Sequence, residues 1–85
     1  SLEIEISLLT VPILINGPAE IVIGRHGLIV TARGRRGLLL PQVATEYGWT
    51  APEFLAQTCL KASLSANTWQ NAGVRLQTFE TEIIA

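Results

Sequence analysis

The sequence predicts an α+β fold in which two helices lie on one face of a mostly antiparallel sheet of four to five short strands. Two observations lead to this prediction. Segments near both ends of the chain alternate between apolar and polar residues, a pattern typical of half-buried strands. Two central segments carry helix start and stop signals. With 85 residues, the chain holds one domain at most, and we interpret residues 1–85 as a single lobe.

The first strand has the clearest pattern in the chain. Its apolar side chains occupy every second position, namely Leu2, Ile4, Ile6 and Leu8. Glutamate and serine stand between them, so we expect one buried face, one solvated face and antiparallel pairing. Pro12 has no backbone donor, which places residues 13–15 at a sheet edge or in a connection.

A turn is predicted at residues 16–18, which read Asn-Gly-Pro. Residues 19–23 and 28–32 are then two apolar runs rich in β-branched side chains, separated by Gly-Arg-His-Gly. They form either a tight hairpin around Arg25 and His26, the preferred interpretation, or one long strand bent at the glycines.

Arg35 and Arg36 stand between two glycines and predict a second turn. Pro41 fits the first turn of a short helix that runs through Tyr47, because its missing N–H would be unpaired there in any case. Gly48 is the residue type that commonly ends such a helix.

The second helix has the strongest signal, because Thr50 and Glu53 stand at the spacing of a capping box. We expect this helix to span residues 51–64. A polar loop anchored by Trp69 follows, and residues 74–83 alternate again and predict the last strand. Trp49 and Trp69 are predicted to pack beneath the second helix.

Composition narrows the classes of function. A formal net charge of -1 argues against non-specific nucleic-acid binding, which needs a basic surface. The local cluster of Arg33, Arg35 and Arg36 is interpreted as a solvated turn in preference to a phosphate site. The single cysteine, Cys59, excludes an internal disulfide and a cysteine-based metal cage.

No signal peptide or membrane-spanning run is recognised, so we expect a cytoplasmic protein that does not bind a membrane. Hydrophobic residues make up 48% of the chain and charged residues only 15%. That is more apolar surface than a small isolated core needs. Either several strands are buried on both faces, or the rest of a parent domain or a second copy covers part of the surface.

Two stretches carry a resemblance to a known family. Residues 24–30 read Gly-Arg-His-Gly-Leu-Ile-Val, and residues 37–44 read Gly-Leu-Leu-Leu-Pro-Gln-Val-Ala. Residues 48–49 (Gly-Trp), 54–55 (Phe-Leu) and 59–62 (Cys-Leu-Lys-Ala) follow in matching order. The chain resembles the C-terminal half of the AMME-critical-region family, the proteins called AmmeMemoRadiSam system protein A.

This resemblance implies a partial domain of uncharacterised biochemical function. Complete members have a cleft between two lobes, and their N-terminal half carries an Arg-Gly-Cys motif that this sequence lacks. The resemblance also implies Memo-type and radical SAM proteins as partners in a shared pathway. Ser63 stands where the family usually has glycine, so the end of the second helix is expected to shift by about one residue.

The candidate site consists of Arg25, His26, Gln42 and Lys61, interpreted as one wall of a cleft for a small polar ligand. Gln42 follows Pro41 at a strand-to-helix junction and, with Arg25 and His26, could bind a carboxylate or phosphate; the alternative is a surface glutamine. The lone histidine is interpreted first as a turn residue that bonds to the backbone, and second as a functional imidazole.

Cys59 and Lys61 do not predict a reactive thiol pair. Positions two apart on a helix point roughly 200° apart, so the two side chains cannot serve one site. We interpret Cys59 as a core residue. The sequence shows no paired carboxylates, nucleophile elbow, phosphate loop or metal cluster, and we expect neither a cofactor nor autonomous enzyme activity.

Three hypotheses for function follow. The first is a partial domain that binds a protein or a small polar ligand. The second is half of an enzyme active site, completed by a lobe with the Arg-Gly-Cys motif. The third is a structural fragment that self-associates, as a homodimer, through open strand edges.

Overall fold

The computed structural model describes the backbone of residues 5–8 and 10–84 and the side chains of residues 10–81. The strands are β1 (Glu5–Leu8), β2 (Ile13–Ile15), β3 (His26–Ala32), β4 (Arg35–Leu39) and β5 (Arg75–Ile84). The α-helices are α1 (Pro41–Tyr47) and α2 (Ala51–Lys61), and two short 3-10 turns cover Pro18–Glu20 and Thr68–Gln70. The predicted α+β class is confirmed.

All pairings in the sheet are antiparallel, and β5 lies at its centre. Strand β3 pairs with one edge of β5, and β4 pairs with the far edge of β3. Strands β1 and β2 both pair with the other edge of β5, one after the other. Strand β5 therefore pairs with β1, β2 and β3, and β4 joins the sheet through β3.

The edge formed by β1 and β2 is interrupted. Four residues separate Leu8 from Ile13, whereas two residues separate their β5 partners Thr81 and Thr78. At this interruption the backbone N–H of Glu80 donates to the hydroxyl of Thr10 over 2.9 Å. A side chain thus replaces the backbone acceptor of a regular ladder, as at a β-bulge.

The first strand is confirmed over Glu5–Leu8. Residues 1–4 and the side chains of residues 5–8 lie outside the described part of the structure, so the predicted alternation of faces stays a prediction. Residues 13–15 form an edge strand, as predicted.

The predicted strand at residues 19–23 is wrong, and so are both the hairpin and the bent strand built on it. Pro18–Glu20 form a 3-10 turn, and an irregular segment leads into β3. The carbonyl of Val22 accepts from the N–H groups of Arg25 and His26, at 3.1 and 3.0 Å. The N–H of Val22 donates to Nδ1 of His26 at 3.0 Å. Both backbone groups of Val22 are therefore used locally, and neither is left for a ladder.

The second turn lies two residues earlier than predicted. Arg35 and Arg36 belong to β4, and the turn consists of Arg33 and Gly34, because Ala32 pairs directly with Arg35. Both turn residues have positive φ, 53° and 74°. Two-residue hairpin turns of this kind match the right-handed twist of the strands.

Both helices lie on one face of the sheet, as predicted. Side chains from both helices join β3 and β5 in one cluster, formed by Ile21, Leu28, Val30, Ala32, Ala44, Phe54, Leu55, Cys59, Ala62, Leu64 and Leu76. Trp49 and Trp69 are half-buried and pack against it, as predicted. Gly37 lets α2 approach β4 closely, because a Cβ there would lie 2.6 Å from the carbonyl oxygen of Thr58.

The predicted helix boundaries hold at three of four ends. Helix α1 runs from Pro41 to Tyr47 and ends at Gly48. Helix α2 begins with the predicted capping box: the N–H of Thr50 donates to the Glu53 carboxylate at 3.0 Å, and the N–H of Glu53 donates to the Thr50 hydroxyl at 3.4 Å. The hydroxyl of Thr50 also donates to this carboxylate, at 2.9 Å, and the hydrogen bonds from the backbone N–H and the hydroxyl of Thr50 lower the pKa of Glu53.

Helix α2 ends at Lys61, three residues earlier than predicted. The N–H of Ser63 donates to the carbonyl of Leu60 at 3.0 Å, and that of Leu64 donates to the carbonyl of Cys59 at 2.9 Å. This pair of bonds is a Schellman motif, which requires a left-handed residue at position 63. Ser63 supplies it with φ 61°. Serine therefore keeps the geometry that glycine usually provides, at a cost in conformational strain.

We expect Ser63→Gly to raise the free energy of unfolding by about 0.5–1 kcal/mol, because glycine adopts positive φ without a Cβ clash. Urea denaturation followed by circular dichroism measures this change. Ser65→Gly is the matched control, since Ser65 is exposed and does not have positive φ. It should leave stability unchanged or lower it. A loss of stability in Ser63→Gly would show that the serine is not strained.

Candidate functional site

A polar pocket of about 400 Å³ lies where β5, the helix α1 and the turn before β3 meet. We call it the Gln42 pocket. It is lined by Gly24, Arg25, Pro41, Gln42, Glu80 and Thr81. Two of the predicted site residues, Arg25 and Gln42, are thus brought together from segments far apart in the sequence.

Arg25 is oriented by an ion pair with Glu80. In the β3–β5 register, His26 stands opposite Glu80. Arg25 directly precedes His26 and so lies next to Glu80. Nε of Arg25 donates to Oε1 of Glu80 over 2.9 Å, with 66% and 29% of the two side chains exposed. The hydrogen bond and the negative charge of Glu80 raise the pKa of Arg25. Solvent screens such an exposed pair, which adds little to stability, so its main effect here is to orient the guanidinium.

Gln42 carries the least satisfied polar group in the described side chains. Its Oε1 is buried and has no hydrogen-bond partner there. The residue lies in the first turn of α1, and its backbone carbonyl accepts from the hydroxyl of Thr45 at 2.9 Å. A buried amide oxygen without a donor costs about 1–3 kcal/mol. Gln42 lines the pocket, so a rotation of its amide would bring this acceptor to a bound group.

His26 has the local role that the sequence favours. Its Nδ1 accepts the N–H of Val22, so in the neutral ring the proton is on Nε2. The residue is half-buried and is not among those that line the Gln42 pocket. A contact between His26 and a ligand stays a prediction.

Lys61 is not part of this pocket either. It is the last residue of α2, exposed, at the end of the helix where a cation is favourable. Its assignment to the cleft wall stays a prediction. Cys59 is fully buried, which confirms the interpretation of a core residue. Burial raises the pKa of the Cys59 thiol, and a hydrogen bond with the backbone of Trp69 lowers it in part.

Sequence reasoning missed Glu80 and Thr81. Both lie on β5, far along the chain from Arg25, and only the strand register brings them to the pocket. The one available signal was a carboxylate within an alternating apolar strand, where charge is uncommon.

The described residues contain no group of three or more histidine, cysteine, aspartate or glutamate side chains able to hold a metal ion. No helix in that same part of the chain is long and apolar enough to cross a membrane.

Comparisons with known proteins agree with the resemblance seen in the sequence. The model of the AMMECR1 (AMME-critical-region) family matches residues 1–84. Protein MJ0810 of Methanocaldococcus jannaschii is 49% identical over 89 residues, which cover 98% of this chain and 44% of that protein. A protein of Aquifex aeolicus is 45% identical over 84 residues, which cover 93% of this chain and 43% of that protein.

The fold is likewise similar to a solved structure. The crystal structure of the uncharacterized protein PH0010 from Pyrococcus horikoshii matches with a TM-score of 0.84 and 46% identity, over 87% of this chain and 39% of that one. The chain thus spans less than half the length of these relatives. With a family match over nearly its whole length, the chain belongs to the AMMECR1 family.

Proposed function

We propose that this chain is the ligand-binding part of an AMMECR1-family protein, and that the Gln42 pocket receives a polar group of a small ligand or of a partner protein. The observation that carries the proposal is the buried, unpartnered Oε1 of Gln42 beside an oriented ion pair. An unsatisfied buried group lowers stability, and perturbed polar groups of this kind concentrate at functional sites.

The charges in the pocket favour a hydrogen-bond donor over an anion. Glu80 already neutralises Arg25, so a carboxylate or phosphate would have to compete with Glu80 for the guanidinium. The buried polar atom without a partner is an acceptor, Oε1 of Gln42. The pocket is therefore more complementary to an amide or ammonium group than to the anion that the sequence led us to expect.

The family resemblance supplies the setting for this proposal. We propose that the pocket forms one wall of a cleft that the remaining half of a family member completes, since the matched relatives are more than twice as long as the region they share with this chain. Memo-type and radical SAM proteins are the proposed partners. If the complete cleft is catalytic, its cysteine has to come from outside this chain, because Cys59 is buried in the core.

A second candidate function is self-association through β2. Ile13 and Leu14 are 60% and 64% exposed on β2, whose outer edge pairs with none of the described residues, and Val11, just before the strand, is 82% exposed. Apolar side chains on an open sheet edge favour pairing with another chain.

Replacement of Gln42 by methionine tests whether the buried amide lowers the free energy of unfolding. We expect Gln42→Met to raise the free energy of unfolding by about 1 kcal/mol in the absence of ligand, because it removes an unsatisfied polar atom while preserving the side-chain length. Chemical denaturation measures the change. Gln57→Met on the exposed side of α2 is the control and should be neutral. A destabilised Gln42→Met would mean that the amide has a structural partner.

A titration with glycinamide and with acetate tests the ligand class. Glycinamide carries ammonium and amide donors, whereas acetate is an anion. In a two-dimensional NMR spectrum we expect glycinamide to shift the backbone resonances of Gly24, Gln42 and Glu80, and Gln42→Met to weaken binding at least about fivefold. Acetate should leave these resonances unchanged. Stronger binding of acetate than of glycinamide would overturn the donor assignment.

Light scattering tests self-association. If β2 forms the contact, the average molar mass of the chain should rise with concentration, and Ile13→Lys should hold it at the monomer value. Leu60→Lys is the matched control, since Leu60 is an exposed leucine on α2, 51% exposed, away from the edge strand. A constant monomer mass for the unmodified chain would rule out this function.

A further inference from the structure

A second groove, with a volume of about 540 Å³, lies between the loop after β2 and the segment before β5. We call it the Trp69 groove. Its floor is apolar and is formed by Ile15, Val74 and Leu76. It shares no lining residue with the Gln42 pocket.

The rim of this groove consists of neutral hydrogen-bonding groups. Asn16, Gln70 and Asn71 all line it, and no charged side chain of residues 10–81 does. None of their side chains bonds to another residue of the described part of the chain. Each amide therefore offers both a donor and an acceptor to a bound molecule.

Trp69 gives the groove an aromatic surface that the core holds in place. The residue is half-buried, packs against the hydrophobic cluster and also lines the groove. It lies in the 3-10 turn Thr68–Gln70, whose first residue is only 2% exposed. A fixed indole loses little entropy when a ligand stacks on it.

The opposite wall is also fixed. The backbone N–H of Asn16 donates to the carboxylate of Glu20 at 2.6 Å, which closes the loop that carries residues 16–18. Contacts within the chain thus support both walls. Pre-ordering of this kind is what a specific small-molecule site requires.

We propose that the Trp69 groove binds an uncharged, ring-shaped ligand with an apolar face and a rim of neutral polar groups. Such a ring stacks on the indole while its edge exchanges hydrogen bonds with the amides. Nucleobases and pyranose sugars share this chemistry. A charged ligand gains no ion pair from residues 10–81, because none of those that line the groove carries a charge.

The test is an NMR titration of the 85-residue chain with adenosine and, separately, with methyl glucopyranoside. We expect at least one probe to give saturable shifts of the Trp69 indole N–H and of the backbone amides of residues 70–72. Binding by adenosine alone assigns a nucleobase, and binding by the glucoside alone assigns a sugar. Gln70→Ala and Asn71→Ala should each weaken binding at least about fivefold. Gln57→Ala, an exposed glutamine outside the groove, should leave it unchanged.

Three results would overturn the proposal. The first is the absence of saturable shifts with either probe. The second is adenosine monophosphate binding at least about tenfold more tightly than adenosine, because that would make charge the dominant interaction. The third is a set of shifts confined to Ile13 and Leu14, which would place the contact on the edge of β2.

Discussion

The antiparallel pairing of β5 with β3 is the constraint on which the rest of the structure depends. Each of the other three strands pairs with one of these two, and their register decides which side chains face the helices. Phe79 marks that register, because its ring lies directly on Gly27, where a Cβ would come within 2.3 Å of the ring. A shift by one residue would move every side chain of β5 to the opposite face. It would also separate Glu80 from Arg25.

The Gln42 pocket is a consequence of this pairing combined with a short connection. Gly37 allows α2 to lie close to β4, and only α1 joins the two elements. Because Leu39 pairs with Leu28, the start of α1 lies near the end of β3 that Arg25 precedes. The site is built from three segments that are each fixed for packing reasons. Its unsatisfied amide is the exception, and that contrast is why the amide is interpreted as functional.

The helix caps, which depend on neighbouring residues, were predictable from the sequence. The pairing of strands that lie far apart in the sequence was not. The capping box of α2 and the glycine after α1 were recognised because each needs only neighbouring residues. The strand prediction for residues 19–23 was wrong because Ile21 and Ile23 face the core from an irregular segment. Their spacing is the same alternation that a strand shows. Of the candidate site, Arg25 and Gln42 were identified, while Glu80 required the register of β5.

The interruption between β1 and β2 limits what the outer edge of the sheet can do. Thr10 takes the place of a backbone acceptor there, and Pro12 offers no donor. An incoming strand can pair with only the three residues of β2 before it meets the break. Contacts at this edge are therefore confined to a short patch and depend on side chains. This geometry opposes the long, repetitive pairing on which fibrils grow.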